Sequence, residues 1–278
     1  MSNLKVNSIN DASGGSTAVL YGVAAPTNSM GFRNRIINGD MRIDQRNAGA
    51  SVTPSATAAF QFTVDRFAYN QSAASKFSFQ QNAGSVTPPV GYSNYLGFTS
   101  QSAYSVSSGD YFYAVQRIEG NNCGDFAWGT ANAITVTLSF WVRSSLTGTF
   151  GGTLTNSAAN RYYIFSYVIN AANTWEQKTI TIAGDTSGTW LSNNGTGIEV
   201  RWGLGSGSTF TGTAGSWSGT TYLQPTGSVN VVGTNGATFY ITGVQLEAGS
   251  VASPFERRDY GRELMMCQRY YFKSTMQC

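Results

Sequence analysis

The 278-residue chain contains no histidine. That one absence excludes Ser-His-Asp and Cys-His catalysis, histidine metal sites and any imidazole general base. Carboxylates remain. Glycoside hydrolysis needs two of them about 5–9.5 Å apart, and Asp40, Asp44 and Asp65 lie near one another in sequence. Acids on strands usually face solvent or pair locally, however, and Asp65 beside Arg66 reads as a local ion pair. No Asp/Asn-dense loop follows the EF-hand pattern, so no metal ligand is assigned, and no cofactor. Gly203-Leu204-Gly205-Ser206-Gly207-Ser208 lacks the lysine and the following helix of a phosphate cradle. Cys123, Cys267 and Cys278 are far apart and form no CxxC. Without a secretory signal they read as reduced thiols of a protein assembled inside a cell, two small buried hydrophobes and an exposed terminal thiol.

The residue types that remain suit sugar recognition. Sugars are held by aromatic platforms and by polar groups that replace water on their hydroxyls. Aromatics in glycine-rich connections are free to serve, which selects Tyr92, Tyr95, Tyr104, Trp190, Trp217 and Tyr222. The competing reading for each is packing in the core or over a sheet edge. Trp141, Trp175 and Trp202 sit inside strand patterns and are expected between the sheets.

Charged residues make up 11% of the chain, against a usual ~25%. From Trp202 to Leu246 there is none. The net charge of +3 is small and dispersed, so no electrostatic footprint for nucleic acid exists. No segment approaches the ~20 apolar residues of a membrane span, so no membrane insertion is expected. An uncharged polar surface fits packing into an assembly or contact with sugar hydroxyls.

Three regions must position these groups. Residues 1–32 form an arm: Leu4, Val6 and Ile9 alternate weakly before the turn-forming Asp11-Ala12-Ser13-Gly14-Gly15-Ser16. It is either a disordered tail or an extended strand docking on a neighbouring subunit or particle, since it cannot bury enough surface to fold alone. Residues 33–252 read as all-β. Ile134, Val136, Leu138, Phe140 and Val142 alternate with Thr135, Thr137, Ser139, Trp141 and Arg143, and Ile198, Val200, Trp202 and Leu204 alternate with Glu199, Arg201 and Gly203. Many strands with glycine-rich connections predict a β-sandwich. Residues 253–278 hold the only dense charge and predict a short helix, with Asp259 as N-cap and Leu264, Cys267 and Tyr271 on one side. This helix either seals an open end of its own sandwich or offers Arg257, Arg258 and Arg269 to carboxylates across a subunit boundary.

Three parts of the chain also carry a resemblance. Phe239-Tyr240-Ile241-Thr242-Gly243-Val244-Gln245-Leu246-Glu247-Ala248-Gly249, then Pro254-Phe255-Glu256-Arg257-Arg258, then Cys267-Gln268-Arg269-Tyr270-Tyr271, resembles the end of a jelly-roll module of bacteriophage tail-fibre-like structural proteins. The start, Leu4-Lys5-Val6-Asn7-Ser8-Ile9-Asn10-Asp11, is similar to the N-termini of phage tail and fibre proteins. Ile36-Ile37-Asn38-Gly39-Asp40-Met41 resembles the opening strand of galactose-binding-like, carbohydrate-binding jelly rolls. The resemblance implies an all-β jelly-roll sandwich with an extended N-terminal arm and a short C-terminal helix. It further implies a non-enzymatic virion protein, a homotrimeric tail fibre or fibre-like appendage joined to other virion proteins by its arm and contacting host surface glycan. Relatives usually continue past the last tyrosines, so recognition is expected in the sandwich. Two alternatives stay open: a capsid-surface or tail-assembly component with no host contact, and a polysaccharide-degrading enzyme.

Overall fold

The computed structural model describes residues 19–20, 23–24 and 32–273. The chain divides into two units, Met1–Arg33 and Asn34–Cys278. In the first, β1 (Val19–Leu20) pairs antiparallel with β2 (Val23–Ala24). Leu4, Val6, Ile9 and Cys278 lie outside the described residues.

The second unit is a jelly-roll β-sandwich. Its strands are β3 (Gln61–Phe62), β4 (Phe67–Gln71), β5 (Phe77–Gln81), β6 (Leu96–Ser100), β7 (Tyr111–Glu119), β8 (Val136–Ser144), β9 (Gly148–Thr155) and β10 (Tyr162–Ile169). They continue with β11 (Glu176–Ile182), β12 (Thr196–Ser206), β13 (Thr211–Gly212), β14 (Trp217–Ser218), β15 (Gln224–Pro225) and β16 (Thr238–Ala248). One antiparallel sheet runs β11-β8-β16-β6-β5, the other β14-β10-β9-β12-β7-β4-β3. The last strand, β16, lies at the centre of the first sheet, so the chain crosses between sheets before closing.

Alternation builds the core, because successive side chains on a strand point to opposite faces. Leu138, Phe140 and Val142 of β8 and Val200, Trp202 and Leu204 of β12 turn inward together. Trp202 has no exposed surface, and its ring meets Phe67 at 6.2 Å and Phe140 at 6.0 Å. Gly152 on β9, opposite Trp202 in register, lets β9 approach β12 and Phe165: a Cβ there would lie 1.9 Å from the Arg201 carbonyl and 2.7 Å from the Phe165 ring.

Residues 34–41 differ from the expected opening strand. They are buried but unpaired as a strand, and they lace the two sheets together across one end of the sandwich. Arg35 N donates to the Leu246 carbonyl and Asn34 Nδ2 to that of Val244 on β16, while Ile37 exchanges two hydrogen bonds with the Gln116 side chain of β7 (2.8 and 2.9 Å). Helix α1 (Tyr260–Gln268) seals this end. Asp259 caps it by accepting from Arg262 N at 2.9 Å, and Leu264 and Cys267 pack on Ile37 and Ile43.

The arginines expected at a subunit boundary find partners inside the chain. Arg258 is buried and donates to the Asn34 and Ile36 carbonyls, with Glu263 at 3.3 Å and Glu256 at 3.1 Å. Arg269 pairs with Glu119 at 2.7 Å. Arg257 is exposed, its guanidinium 4.9 Å from the Tyr92 ring centroid. The expected Asp65–Arg66 ion pair is also replaced: Asp65 accepts from Gln45, and Arg66 donates to the Arg117 carbonyl and stacks on Tyr270.

Candidate functional site

The outer face of the five-stranded sheet carries unusual residues for a solvent face. Trp141 falls between the inward Phe140 and Val142, so it points outward, and it is only partly buried. Register places Gln177 of β11 on one side of it and Thr242 of β16 on the other, with Thr179 opposite Ser139 one step along. Gln177, Thr179 and Thr181 on the edge strand are exposed. These positions hold an aromatic surface, hydroxyls and a primary amide, and no ionised group.

Two loops roof the other half of this face. Residues 249–258 are fastened at one end, where Thr137 and Thr181 donate to the Gly249 and Ser250 carbonyls (2.8 and 3.1 Å). Residues 82–95 are fastened at the other, where Trp175 Nε1 donates to the Thr87 carbonyl at 2.9 Å. They meet through Tyr92 and Phe255, ring centroids 5.4 Å apart. Tyr92 can sit down on the sheet because β16 bulges at Gly243 (φ 61°), where a Cβ would be 2.7 Å from the ring. Burial pushes the Tyr92 phenol's pKa up, against the opposing pull of Arg257 and of a hydrogen bond from the Trp141 side chain. The result is a shelf on β8 and β11, with Trp141 as its platform and Tyr92, Phe255 and Arg257 as its back wall.

A second aromatic group lies where the connection after β7 meets the loop between β11 and β12. Trp128, Trp190 and Trp217 meet edge-to-face, with centroids 4.8, 5.2 and 5.3 Å apart. Each indole N–H is spent on a backbone carbonyl: Trp128 on Ile134, Trp190 on Ser187 and Trp217 on Ala183. The loop bearing Trp190 is held by a two-pronged ion pair between Arg161 and Asp185, both contacts 2.7 Å. Trp128 and Trp190 wall a cleft of ≈ 210 Å³.

The six aromatics selected from the sequence therefore do not form one site. Trp190 and Trp217 come together, and Tyr92 backs the shelf. Tyr95 is fully buried, its hydroxyl bonded to Ala83 O and Val86 N and its ring 5.1 Å from Tyr240. Tyr104 packs on the core residue Phe112 at 5.6 Å and donates to Asp110, and Tyr222 covers Gly212. Trp141 and Trp175 lie on the outer face rather than between the sheets. Trp141 and Trp128 were missed as site residues. For Trp141 the signal was present, since its parity along β8 is opposite to that of the apolar series.

Every described carboxylate has a donor. Asp40, Asp125 and Asp185 pair with Arg42, Arg35 and Arg161, and Asp44, Asp65, Asp110 and Asp259 accept from backbone or neutral side chains. Glu119, Glu176, Glu199 and Glu263 pair with Arg269, Lys178, Arg201 and Arg258, while Glu247 and Glu256 accept from Ser253 N and Asn34 N. Hydrogen bonds from Arg269 first, then Tyr270 and Asn121, hold Glu119 at about 2. Burial pushes Glu176 up, but Lys178 and the Ala171 and Asn170 amides outweigh it and bring it to about 2. Among the described residues no cluster of three acid, cysteine or histidine side chains could hold a metal ion.

No protein-family model matches the sequence, and no curated protein matches it significantly. Solved structures do. The enzymatically active domain of bacteriophage CBA120 tailspike protein 4 aligns over 78% of this chain and 21% of its own, at 10% identity and a TM-score of 0.41. TmCBM61, solved with β-1,4-galactotriose, aligns over 78% of this chain and 99% of its own, at 10% identity and a TM-score of 0.37. A family 11 carbohydrate-binding module from Clostridium thermocellum, solved with a mixed-linked tetrasaccharide, aligns over 69% and 91%, at 10% identity and a TM-score of 0.35. At such identities the likeness is one of fold.

Proposed function

We propose that this chain is a non-catalytic bacteriophage virion protein, a tail fibre or fibre-like appendage, whose sandwich binds neutral glycan of the host surface. The observation that carries the binding reading is the shelf: an outward, partly exposed tryptophan flanked by the exposed amide of Gln177 and hydroxyl of Thr179. An indole face takes the C–H face of a sugar ring, and amide and hydroxyl groups replace water on its hydroxyls. A charged ligand would find only Arg257 and Arg143 at the margin. The non-catalytic reading is supported by the described carboxylates, each already engaged by an ion-pair or hydrogen-bond partner, so none of them stands free on the shelf to protonate a leaving group. The virion assignment rests on the resemblance of both chain ends to phage fibre proteins. In that setting a homotrimer anchored by residues 1–32 would turn weak individual contacts into adhesion.

Glycan-array binding by the purified protein tests this directly. Neutral host-surface glycans should be retained without release of reducing sugar. Binding to no glycan, combined with tight binding to particles lacking the protein, would replace host recognition by an assembly role. Sugar release abolished by a single Asp or Glu substitution would make the chain an enzyme.

A further inference from the structure

The tryptophan cleft is separate from the shelf, and its lining is more selective. Its lining includes Cys123, Trp128, Trp190, Leu191, Ser192 and Ile198. No charged side chain lines it, and burial holds the Cys123 thiol neutral by pushing it up to about 12. The indole nitrogens are spent on backbone carbonyls, so the wall shows a ligand carbon only. Its hydroxyl side chains, Ser192 and Thr130, are both exposed, and Thr130 donates to the Ala127 carbonyl. The walls are fixed rather than induced. Trp190 is clamped against Trp128 and Trp217, and Gly129 (φ 86°) lets the Trp190 loop close on it, since a Cβ there would lie 2.6 Å from the Gly188 carbonyl.

At ≈ 210 Å³ the cleft is smaller than the ~300–1,000 Å³ of sites for drug-sized ligands. It fits one ring substituent and part of the ring that bears it. A lining of indoles and aliphatic side chains mixed with polar atoms suits a group with a methyl end and an amide neck. A bare hydroxymethyl arm would leave its hydroxyl unpaired against carbon, which is costly in a water-poor site.

We propose that this cleft is a second glycan subsite, specific for the acetamido group of an N-acetylhexosamine residue. The methyl enters between Trp190 and Leu191, and the amide stays at the rim beside Ser192. The inference rests on the reading of the chain as a glycan binder and adds the substrate class. A chain engaged at both the shelf and the cleft would be held by an extended neutral stretch and an N-acetylated residue together.

The test uses the full chain and four probes: N-acetylglucosamine, N-acetylgalactosamine, glucose and galactose, titrated by saturation-transfer NMR. At least one acetamido sugar should bind roughly 10-fold or more tightly than its parent hexose, since a methyl-sized difference in an apolar pocket discriminates on that order. Ser192→Trp, an exposed position at the mouth, should abolish that preference while leaving the melting temperature unchanged. Trp141→Ala should leave it intact. Equal binding of acetamido and parent sugars, equally good binding of a 6-deoxy sugar, or retention of the preference in Ser192→Trp would each overturn the proposal. Failure of the cleft alone leaves neutral glycan binding that Trp141→Ala removes. Failure of both surfaces leaves no glycan bound at all, which overturns the general reading as well.

Discussion

Phe140 and Trp141 are neighbours with opposite surroundings. Phe140 fills the core against Trp202, while Trp141 lies on the outer face between Gln177 and Thr242. Period-two alternation alone separates them, and so the parity of an aromatic along a strand says more about its use than its residue type does. Loop position was a poorer guide: Tyr95 lies in a connection yet is fully buried, because its ring packs between Trp175 and Tyr240 and its hydroxyl bonds Ala83 and Val86. Gly243 matters at the same scale. Its left-handed φ of 61° and the ring resting on it leave no room for a side chain. Gly243→Ala should cost about 1–3 kcal/mol in urea denaturation and displace Tyr92 from the shelf. Unchanged stability would show that the Tyr92 packing is not required.

The C-terminal helix was legible as an element. Its N-cap, its apolar side and its need for something to pack on could all be read from Asp259, Leu264 and Cys267. What it packs on could not, because its partner, residues 34–41, looks like a strand and instead satisfies its backbone through side chains of Asn34, Gln116 and Glu263. The Arg258–Glu263 pair lies under this cover, each side chain 4% exposed. Glu263→Ala leaves a buried arginine short of its carboxylate and should lower unfolding free energy by about 3 kcal/mol; an effect below ~0.5 kcal/mol would mean the seal is dispensable. The second clasp is titratable. Glu119 is held at about 2 in the folded chain, below the usual carboxylate value near 4.5. A depressed folded value contributes stability above the unfolded pKa, and that contribution is lost as pH falls toward the folded one. Arg269→Ala should therefore be less stable than wild type at pH 6, with the gap closing between about pH 5 and 2. A pH-independent gap would assign the role of Arg269 to packing on Tyr270.

The second unit is a jelly-roll sandwich closed at one end by residues 34–41 and the helix, and both candidate surfaces adjoin that closure: Phe255 of the shelf lies against Gly39, and Arg35 pairs with Asp125 beside the tryptophan cleft. The class of fold was plain from alternation and from the glycine-rich connections, but the sites were not. Trp190 and Trp217 are 27 residues apart in sequence, and only the pairing of β14 with β10 brings them together with Trp128. The central claim is that the shelf built on Trp141 recognises neutral glycan. Its most direct measurement is a paired titration of one array-selected neutral glycan against wild type and Trp141→Ala, with melting temperature as the folding control. The expected result is a loss of affinity of roughly 10-fold or more with little change in melting temperature, since Trp141 would be a central aromatic anchor. Equal affinity in a folded Trp141→Ala protein would contradict it.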